Sequence, residues 1–487
     1  MIGETPTFAI VGAVNHGKSS VVSTLAENDQ VRISSMPGET VECQLFWLLD
    51  LFKFYDTPGF QNPIEALPEL LPAAQAPEPL TVFRQFVERH RGNAEFEAEC
   101  VLLQPLLEGA GIVYVVDGSE PLLEVHRAEM EILRLTAQPR LAVINRTSSD
   151  DHVQEWKSRL GQHFNAVREF NAHSATFADR LELLETLGGL EQGWRPKLTQ
   201  AIAIFREERE ARITDCAEII VELLIDALTH REHLPATSEL KTRRAKLGEE
   251  LKQKFIAAVC EREAQAHREI IELFRHRYVT AEVSPGQIFD TGLFSDATWR
   301  AFGLDSKQLV VAAALSGAAT GAIIDVSVGG HSFLLGTAIG GVTGATGAFL
   351  VGKQRPELKV AIPGQSAWLP KHLRLGGSEL VVGPYPAINF PWILLDRAIG
   401  TFCYVNNRAH ARRDRVTLTS EKMKAAMEAA GISSARWDEE TRKRCERLFH
   451  AIRRGKLGNA QRESLREIIR TRLDEVSRAR FAPAVEA

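Results

Sequence analysis

Several familiar features are missing from this chain. Its six cysteines (Cys43, Cys100, Cys216, Cys260, Cys403, Cys445) include no Cys-x-x-Cys pair. No zinc or dithiol motif is therefore indicated, and reduced, mostly buried thiols are expected. The N-terminus lacks the basic start and apolar core of a secretory signal. There is no internal repeat, no long low-complexity tract and no signature motif of an RNA-binding module. Strong net charge is also absent. Lys and Arg number 58 against 63 Asp and Glu, so the chain as a whole is not a polyanion binder. With 44% hydrophobic and 25% charged residues, neither whole-chain disorder nor a fibrous repeat fits.

The near-neutral total hides a gradient. Residues 1–190 hold 14 Lys and Arg against 27 Asp and Glu, whereas residues 408–487 carry an excess of Lys and Arg. An acidic head and a basic tail point to different partners for the two ends. A second local absence lies between them. From Gln308 to Gly352 there is no Lys, Arg or Glu, and one Asp, Asp325. The 487 residues suggest two to four domains, at roughly 100–200 residues each.

Thr7-Phe8-Ala9-Ile10-Val11 is an apolar run of strand length, and Gly12-Ala13-Val14-Asn15-His16-Gly17-Lys18-Ser19 follows directly. Ser20 to Leu25 then has the composition to begin a helix. Strand, glycine-rich loop and helix in this order fit GxxxxGK[ST]. Its glycines admit backbone N–H groups to phosphate oxygens, and the helix N-terminus adds positive potential. Lys18 is placed to reach the β- and γ-phosphates and Ser19 to ligate Mg²⁺. Thr40, in Pro37-Gly38-Glu39-Thr40, lies 22 residues after Lys18 and can close on Mg²⁺ and the γ-phosphate. Leu51 to Tyr55 reads as a strand ending in Asp56-Thr57-Pro58-Gly59, the start of a switch II. Asp56 is expected to hold Mg²⁺ through water and the Gly59 amide to sense the γ-phosphate. Ile112 to Asp117 and Leu141 to Ile144 read as buried strands, the second running into Asn145-Arg146-Thr147-Ser148. Asn171-Ala172-His173 precedes Ser174-Ala175-Thr176.

In order and spacing these motifs resemble the translation-factor-type P-loop GTPases, and most of all the Era/TrmE-like branch. That branch carries GxxNxGKSS and a Gly-x-Thr switch I, matched here by Asn15, Lys18, Ser19, Ser20 and Thr40. The resemblance covers about residues 7–190. It implies an α/β domain with a mostly parallel sheet and flanking helices, GTP hydrolysis, and Mg²⁺ at Ser19, Thr40 and Asp56. Phosphate contacts are implied for Gly12, Asn15, His16 (through its backbone), Gly17, Lys18, Ser19 and Ser20. Base contacts are implied at Asn145, Arg146, Ser174 and Ala175. Two departures matter. Arg146 and Ser148 stand where the family's base-reading loop has Lys and Asp, which loosens strict guanine specificity unless Asp150 or Asp151 substitutes. Phe60 follows Gly59 where many small GTPases carry a water-orienting glutamine. In some relatives the P-loop Asn binds K⁺, so Asn15 makes K⁺ stimulation an expectation; the alternative is that Asn15 only braces the loop. Lys18, Asn15, Thr40 and Gly59 are the residues on which hydrolysis is expected to rest.

Between Gly59 and Ile112 lie 52 residues, more than a switch II and its helix need. The prolines at 63, 68, 72, 77 and 79 predict an irregular first part, and Thr81 to Leu107 reads as helical. This insertion, about 61–110, is either a partner contact or a packed lid. Helical periodicity then runs over Lys197–Arg231 and Ser238–Tyr278, predicting a long-helix stalk or bundle over 191–306, broken near His233-Leu234-Pro235. The charge-poor segment divides at Gly329-Gly330-His331-Ser332 into 21 and 20 residues. Each half matches a roughly 30 Å hydrocarbon core. Glycines at four-residue spacing suit close helix pairing, and Lys307, Lys353 and Arg355 flank both ends on one side. A Gly-rich apolar hairpin over 307–355, inserted in or docked on a membrane, is the reading; a packed soluble hairpin is its rival. Residues 356–487 read as a small mixed segment followed by basic helices. Leu373–Leu375 and Leu380–Val382 suit a β-hairpin, with helices after Pro391, from Ser420 to Gly431, over Trp437–Arg454 and over Ala460–Arg480. The basic excess fits a solvated surface, anionic lipid or RNA.

The whole layout resembles bacterial GTPases whose C-terminal half is an uncharacterised domain. Three functions share such a head. One is a dynamin-like mechanoenzyme that self-assembles into a homo-oligomer on lipid. Another is a switch acting on a protein complex at the cytoplasmic face of the inner membrane. The third is an RNA- or ribosome-associated assembly factor.

Overall fold

The computed structural model describes residues 5–27, 43–146, 151–235, 238–283, 351–353, 379–385 and 387–478. The chain divides into two units. The first comprises Met1–Glu210, Arg275–Arg277 and Asn407–Asp414; the second comprises Ala211–Phe274, Tyr278–Asn406 and Arg415–Ala487.

The first unit is built on a six-stranded sheet. In chain order its strands are β1 (Thr7–Val11), β2 (Gln44–Leu48), β3 (Phe52–Asp56), β4 (Gly111–Asp117), β5 (Arg140–Asn145) and β6 (Ala166–Phe170). In space the order is β2-β3-β1-β4-β5-β6. Every pairing is parallel except that of β2 with β3. Helices cover both faces, so the central strands carry unbroken apolar runs, as the sequence indicates. β4 shows the division of labour. Ile112, Tyr114 and Val116 enter one core with Met130, Ile132, Leu133, Trp156 and Leu160. Val113 and Val115 enter the opposite core with Phe8, Ile10, Val21, Leu25, Phe54 and Leu184. From β1 the chain runs outward to β3 and β2 on one side and to β4, β5 and β6 on the other. The carboxyl end of β1 is therefore the topological switch point, where open α/β sheets bind ligands.

The insertion folds as helices. α2 (Pro63–Leu70) follows α1 (Lys18–Ala26), and a 3₁₀ turn (Leu71–Gln75) leads to α3 (Pro79–Arg89) and α4 (Glu97–Leu107). Two expectations change here. The prolines leave the first part only partly irregular: Pro63 and Pro79 occupy first-turn positions, where a missing N–H costs nothing, and Pro68 lies inside α2, whereas Pro72 falls in the 3₁₀ turn and Pro77 in the non-helical chain after it. The helical reading of Thr81–Leu107 breaks in the middle, because Gly92 adopts φ 78° and the Asn93 side chain accepts from the Glu95 amide at 3.0 Å. α5 (Glu124–Leu135), α6 (Val153–His163), α7 (Phe177–Leu190) and the first half of α8 (Arg195–Thr229) complete the layers.

A distant piece of chain finishes this unit. Ala411 is 1% exposed and lies in the core of the α1 face. Ser23 on α1 donates its hydroxyl to the His410 carbonyl at 3.1 Å and accepts from Arg413 at 3.0 Å. The rings of His410 and His276 stack at 4.3 Å, so both outlying segments of the unit meet each other.

In the second unit the rest of α8 and α9 (Ser238–Leu273) pack with α10 (Phe390–Asn407), α12 (Glu439–Arg453) and α13 (Asn459–Arg478) around one core. They do not stand apart as a two-helix stalk. α10 is buried nearly all round, as a helix that is apolar on every face must be. Gly400 lets it approach α11 (Ser420–Ala430), since a Cβ there would sit 2.6 Å from the Met423 carbonyl oxygen. Its buried polar groups are partnered: Arg397 with Glu263 on α9 at 2.5 Å, Thr401 with His267 at 2.9 Å, and Asp396 with the amide and hydroxyl of Ser434 at 3.0 and 2.9 Å.

Two small sheets join remote parts of this unit. His233-Leu234-Pro235, which the sequence marks only as a helix break, lies in β7 (Glu232–Pro235). β8 (Val279–Ala281) pairs in parallel with β11 (Val416–Leu418). β9 (Val351–Lys353) and β10 (Glu379–Val382) complete the order β7-β10-β9, so Leu380–Val382 pairs with those strands. Leu373–Leu375 lies outside the described residues. So does the Gly-rich segment up to residue 350, and its last two residues, Val351 and Gly352, form strand rather than helix. Among the described residues no helix is long and apolar enough to cross a membrane. All six cysteines are free, and four are buried.

Candidate functional site

The loop after β1 has the backbone that its glycines predict. Gly12 adopts φ 143°, and a Cβ there would lie 2.2 Å from the Val115 carbonyl oxygen. Gly17 adopts φ 87°, and a Cβ there would lie 2.2 Å from the Asn145 side-chain nitrogen. Neither position admits a side chain. Between them Asn15 is exposed with φ 68°. Lys18 opens α1, whose N-terminus has no side-chain cap, and Ser20 is buried one residue beyond Ser19.

Lys18 is 8% exposed and donates to the carbonyl oxygens of Gly12 and Ala13 at 3.2 and 2.9 Å. Burial lowers its pKa, with Asp56 and Glu129 pulling the other way. Asp56, at the end of β3, is 1% exposed. The Ser19 hydroxyl bonds to it, and burial lifts its carboxyl to about 6 against the opposing effects of Ser19 and Lys18. Asp56 Oδ1 is buried with no hydrogen-bond partner. A hydroxyl and an unsatisfied carboxylate oxygen meeting beside a lysine form an all-oxygen donor set of the kind a hard divalent cation takes. Ser19 and Asp56 therefore fit Mg²⁺. Thr40, the third residue expected there, lies outside the described residues. Among the described residues no cluster of three or more His, Cys, Asp or Glu is arranged to hold a metal by itself.

Switch II begins against the loop. A Cβ on Gly59 would sit 2.7 Å from the Val14 amide nitrogen, and Phe60 forms a parallel bridge with Ala13. Phe60 is 4% exposed and belongs to the core, so its apolar side chain is structural. Thr57 is fully buried and donates to the Ile10 carbonyl at 2.7 Å, tying β3 to β1.

Asn145 joins three segments. It is fully buried; its amide donates to the His16 carbonyl at 3.3 Å and its oxygen accepts from the Ala172 amide at 3.2 Å. The loop carrying Ser174 and Ala175 is thus linked to the loop after β1, and the Ser174 amide donates to the Asn171 carbonyl at 3.1 Å. Arg146 pairs with Glu169 at 3.0 Å. Ser148 and Asp150 lie outside the described residues.

His16 is more than a backbone donor. Its side chain is 3% exposed, lies 3.3 Å from Glu120, and has its ring 5.1 Å from that of His126. Burial, and then Lys18, push its pKa down to about 4, so the imidazole is neutral at pH 7. Three further groups at this site carry no sequence motif: Glu99, Glu129 and His126. Glu129 is fully buried on α5, accepts from the Tyr114 hydroxyl at 2.6 Å, and is lifted by burial to about 7. Glu99, 1% exposed on α4, accepts from the Gln61 and Asn62 amides at 2.7 and 2.6 Å. Helical spacing is the one signal that could have found these two carboxylates. Glu99 falls in line with Leu102, Leu103 and Leu106, and Glu129 with Ile132 and Leu133, all buried. A carboxylate on such a face is rare enough to mark a site.

Comparison with known proteins finds a match for each part of the chain. The model of "50S ribosome-binding GTPase" matches residues 7–146. That of "Domain of unknown function (DUF3482)" matches residues 157–474, well over half of the chain. The chain belongs to the DUF3482 family. Ahead of that region the chain carries a P-loop GTPase domain, the part that the GTPase model matches. GTPase Der of Prochlorococcus marinus (strain NATL2A) is 28% identical over 167 residues, 32% of this chain and 30% of Der. The probable GTP-binding protein EngB of Bacillus cytotoxicus is 41% identical over 59 residues, 12% of this chain and 30% of EngB. The chain thus spans less than a third of the length of either relative. Among solved structures, Era in complex with MgGDPNP and a segment of 16S ribosomal RNA aligns at 15% identity and a TM-score of 0.26, over 56% of this chain and 89% of that one. A variant of Aquifex aeolicus Era bound to GDP and AlF4⁻ aligns at 16% identity and a TM-score of 0.25, over 55% and 88%.

Proposed function

We propose that this DUF3482 protein binds GTP and hydrolyses it to GDP and phosphate, the two nucleotide states acting as a switch. One observation carries the reading: Ser19 meets an unsatisfied Asp56 carboxylate beside Lys18, at the end of a loop that only glycines can build. The reaction is attack of water on the γ-phosphate. Lys18 and the backbone amides of Gly12 to Ser19 bind the phosphates and offset the charge that develops on them. Ser19 and Asp56, with Thr40, are the residues to hold Mg²⁺, which when bound supplies charge neutralisation on the β- and γ-oxygens. Asn15, exposed in the loop, is the residue to hold a K⁺ ion. Gly59 carries the amide that reports the γ-phosphate. Asn145, Arg146, Ser174 and Ala175 form the base end of the site. Lys18→Ala is expected to abolish nucleotide binding or turnover, measured by titration with a fluorescent GTP analogue and by phosphate release; unchanged values sink the assignment.

The switch is read at the cytoplasmic face of a membrane in this proposal. Its support is the charge-poor stretch of 308–352 with cationic flanks on one side. Flotation of the full chain with liposomes, in GTP, GDP or no nucleotide, tests it. A protein that stays at the bottom of the gradient in all three conditions refutes the membrane part.

A further inference from the structure

The carboxylate that bonds the chain just after Gly59-Phe60 comes from outside both that segment and the loop after β1. Glu99 stands in the first turn of α4, inside the insertion, 38 residues after Gln61. Its Oε1 accepts both the Gln61 and the Asn62 amides, at 2.7 and 2.6 Å. The Asn62 side chain donates to the Glu95 carbonyl at 2.6 Å, a third bond, from the residues that lead into the same helix. The clamp grips the two residues that follow Gly59-Phe60, which rest on Ala13 and Val14 of the phosphate loop.

The position is an unfavourable one for a carboxylate. Glu99 is 1% exposed, its Oε2 has no hydrogen-bond partner, and Glu129 lies near enough to be repelled. Glu129 in turn is attracted by Lys18. Glu129 therefore lies within electrostatic reach of both Lys18 and Glu99. A buried charge serving only as packing would be better replaced by an apolar side chain. Here it is bonded to the segment that follows Gly59, whose amide the proposed reading places at the γ-phosphate. Phe60 stands where many small GTPases carry a glutamine, and it is committed to the core.

We infer that Glu99 is a positioning residue for GTP hydrolysis, holding switch II through its main chain. This rests on the proposed GTPase reading. The test uses the full chain and compares wild type, Glu99→Ala, Glu99→Gln and Lys18→Ala. In Glu99→Ala, single-turnover hydrolysis is expected to slow by about 10- to 100-fold, the usual cost of small misplacements at a reacting centre. Affinity for GDP should stay within about twofold, since no group that touches the nucleotide is removed. Glu99→Gln keeps an oxygen that can accept both amides and should recover most of the rate. Hydrogen exchange in a peptide spanning residues 59–63 should accelerate in the Ala variant and return toward wild type in the Gln variant. A Glu99→Ala protein that hydrolyses GTP at the wild-type rate overturns this inference alone. So does a Gln variant as slow as the Ala variant with its amide protection intact. A wild type that neither binds nor turns over GTP, matching Lys18→Ala, overturns the nucleotide reading and this inference with it.

Discussion

Replacing Glu129 by glutamine should stabilise the first unit by an amount that grows as pH rises from about 4.5 through about 7. Glu129 is fully buried, and burial raises its carboxyl from 4.5 to about 7, more than the Tyr114 hydrogen bond and the Lys18 attraction offset. A carboxyl whose folded pKa lies above its unfolded one favours folding while it is protonated. That contribution is complete below about 4.5 and is lost as pH rises through about 7. At about 1.4 kcal/mol per pH unit, the full loss is about 3 kcal/mol by pH 8. The glutamine side chain does not titrate, and its amide oxygen accepts the same Tyr114 hydroxyl. For a unit of this size 1 kcal/mol moves Tm by about 2–4 °C, so Glu129→Gln should melt roughly 6–12 °C higher at pH 8, and only slightly higher at pH 5. Scanning calorimetry of the nucleotide-free full chain measures this, and the transition that shifts on adding GTP identifies the unit. An equal Tm difference at pH 5 and pH 8, or a loss of stability at pH 8, refutes the reasoning.

Three further outcomes follow from the same contacts. Asn145→Ala strips the buried His16 carbonyl and Ala172 amide of their shared partner. It should cost about 2–4 kcal/mol and weaken GTP and GDP together in a fluorescence titration; unchanged affinities would detach this residue from the site. Arg397→Ala leaves Glu263 charged and fully buried between α9 and α10, so the second unit should lose about 3–5 kcal/mol in denaturant titrations while Arg397→Lys loses less. Hydrolysis in K⁺ buffer should exceed that in Na⁺ buffer if Asn15 holds a cation, and equal rates dismiss that role.

Much of the first unit was readable in advance because its signals are local. β1, β4 and β5 are built on apolar runs that lead directly into Gly12, Asp117 and Asn145, and β3 alternates buried Phe52 and Phe54 up to Asp56, so strand and motif vouch for each other. The long periodic segments become α8 and α9 because their apolar residues recur at helical spacing over many turns. Short strands had no such redundancy. β7 is four residues long and owes its conformation to β10, more than a hundred residues away. The insertion misled for a different reason: proline marks both helix starts and irregular chain, and only the neighbouring packing separates them.

By itself the sequence determined the chemistry that spacing controls: a loop whose glycines admit positive φ, a lysine and serine one and two residues beyond it, and an aspartate closing a strand. These are properties of consecutive residues, and no other part of the chain is needed to state them. Tertiary structure alone decided what surrounds that loop. It brought Glu99 onto the amides of Gln61 and Asn62, sank Glu129 beside Lys18, and turned His16 inward toward Glu120 and His126. It also placed the His410 carbonyl on Ser23 across 387 residues of chain. The physical reason is the same in each case. A carboxylate or a carbonyl acquires its partners and its dielectric from whatever folding packs against it, and nothing in its sequence neighbours records which element that will be.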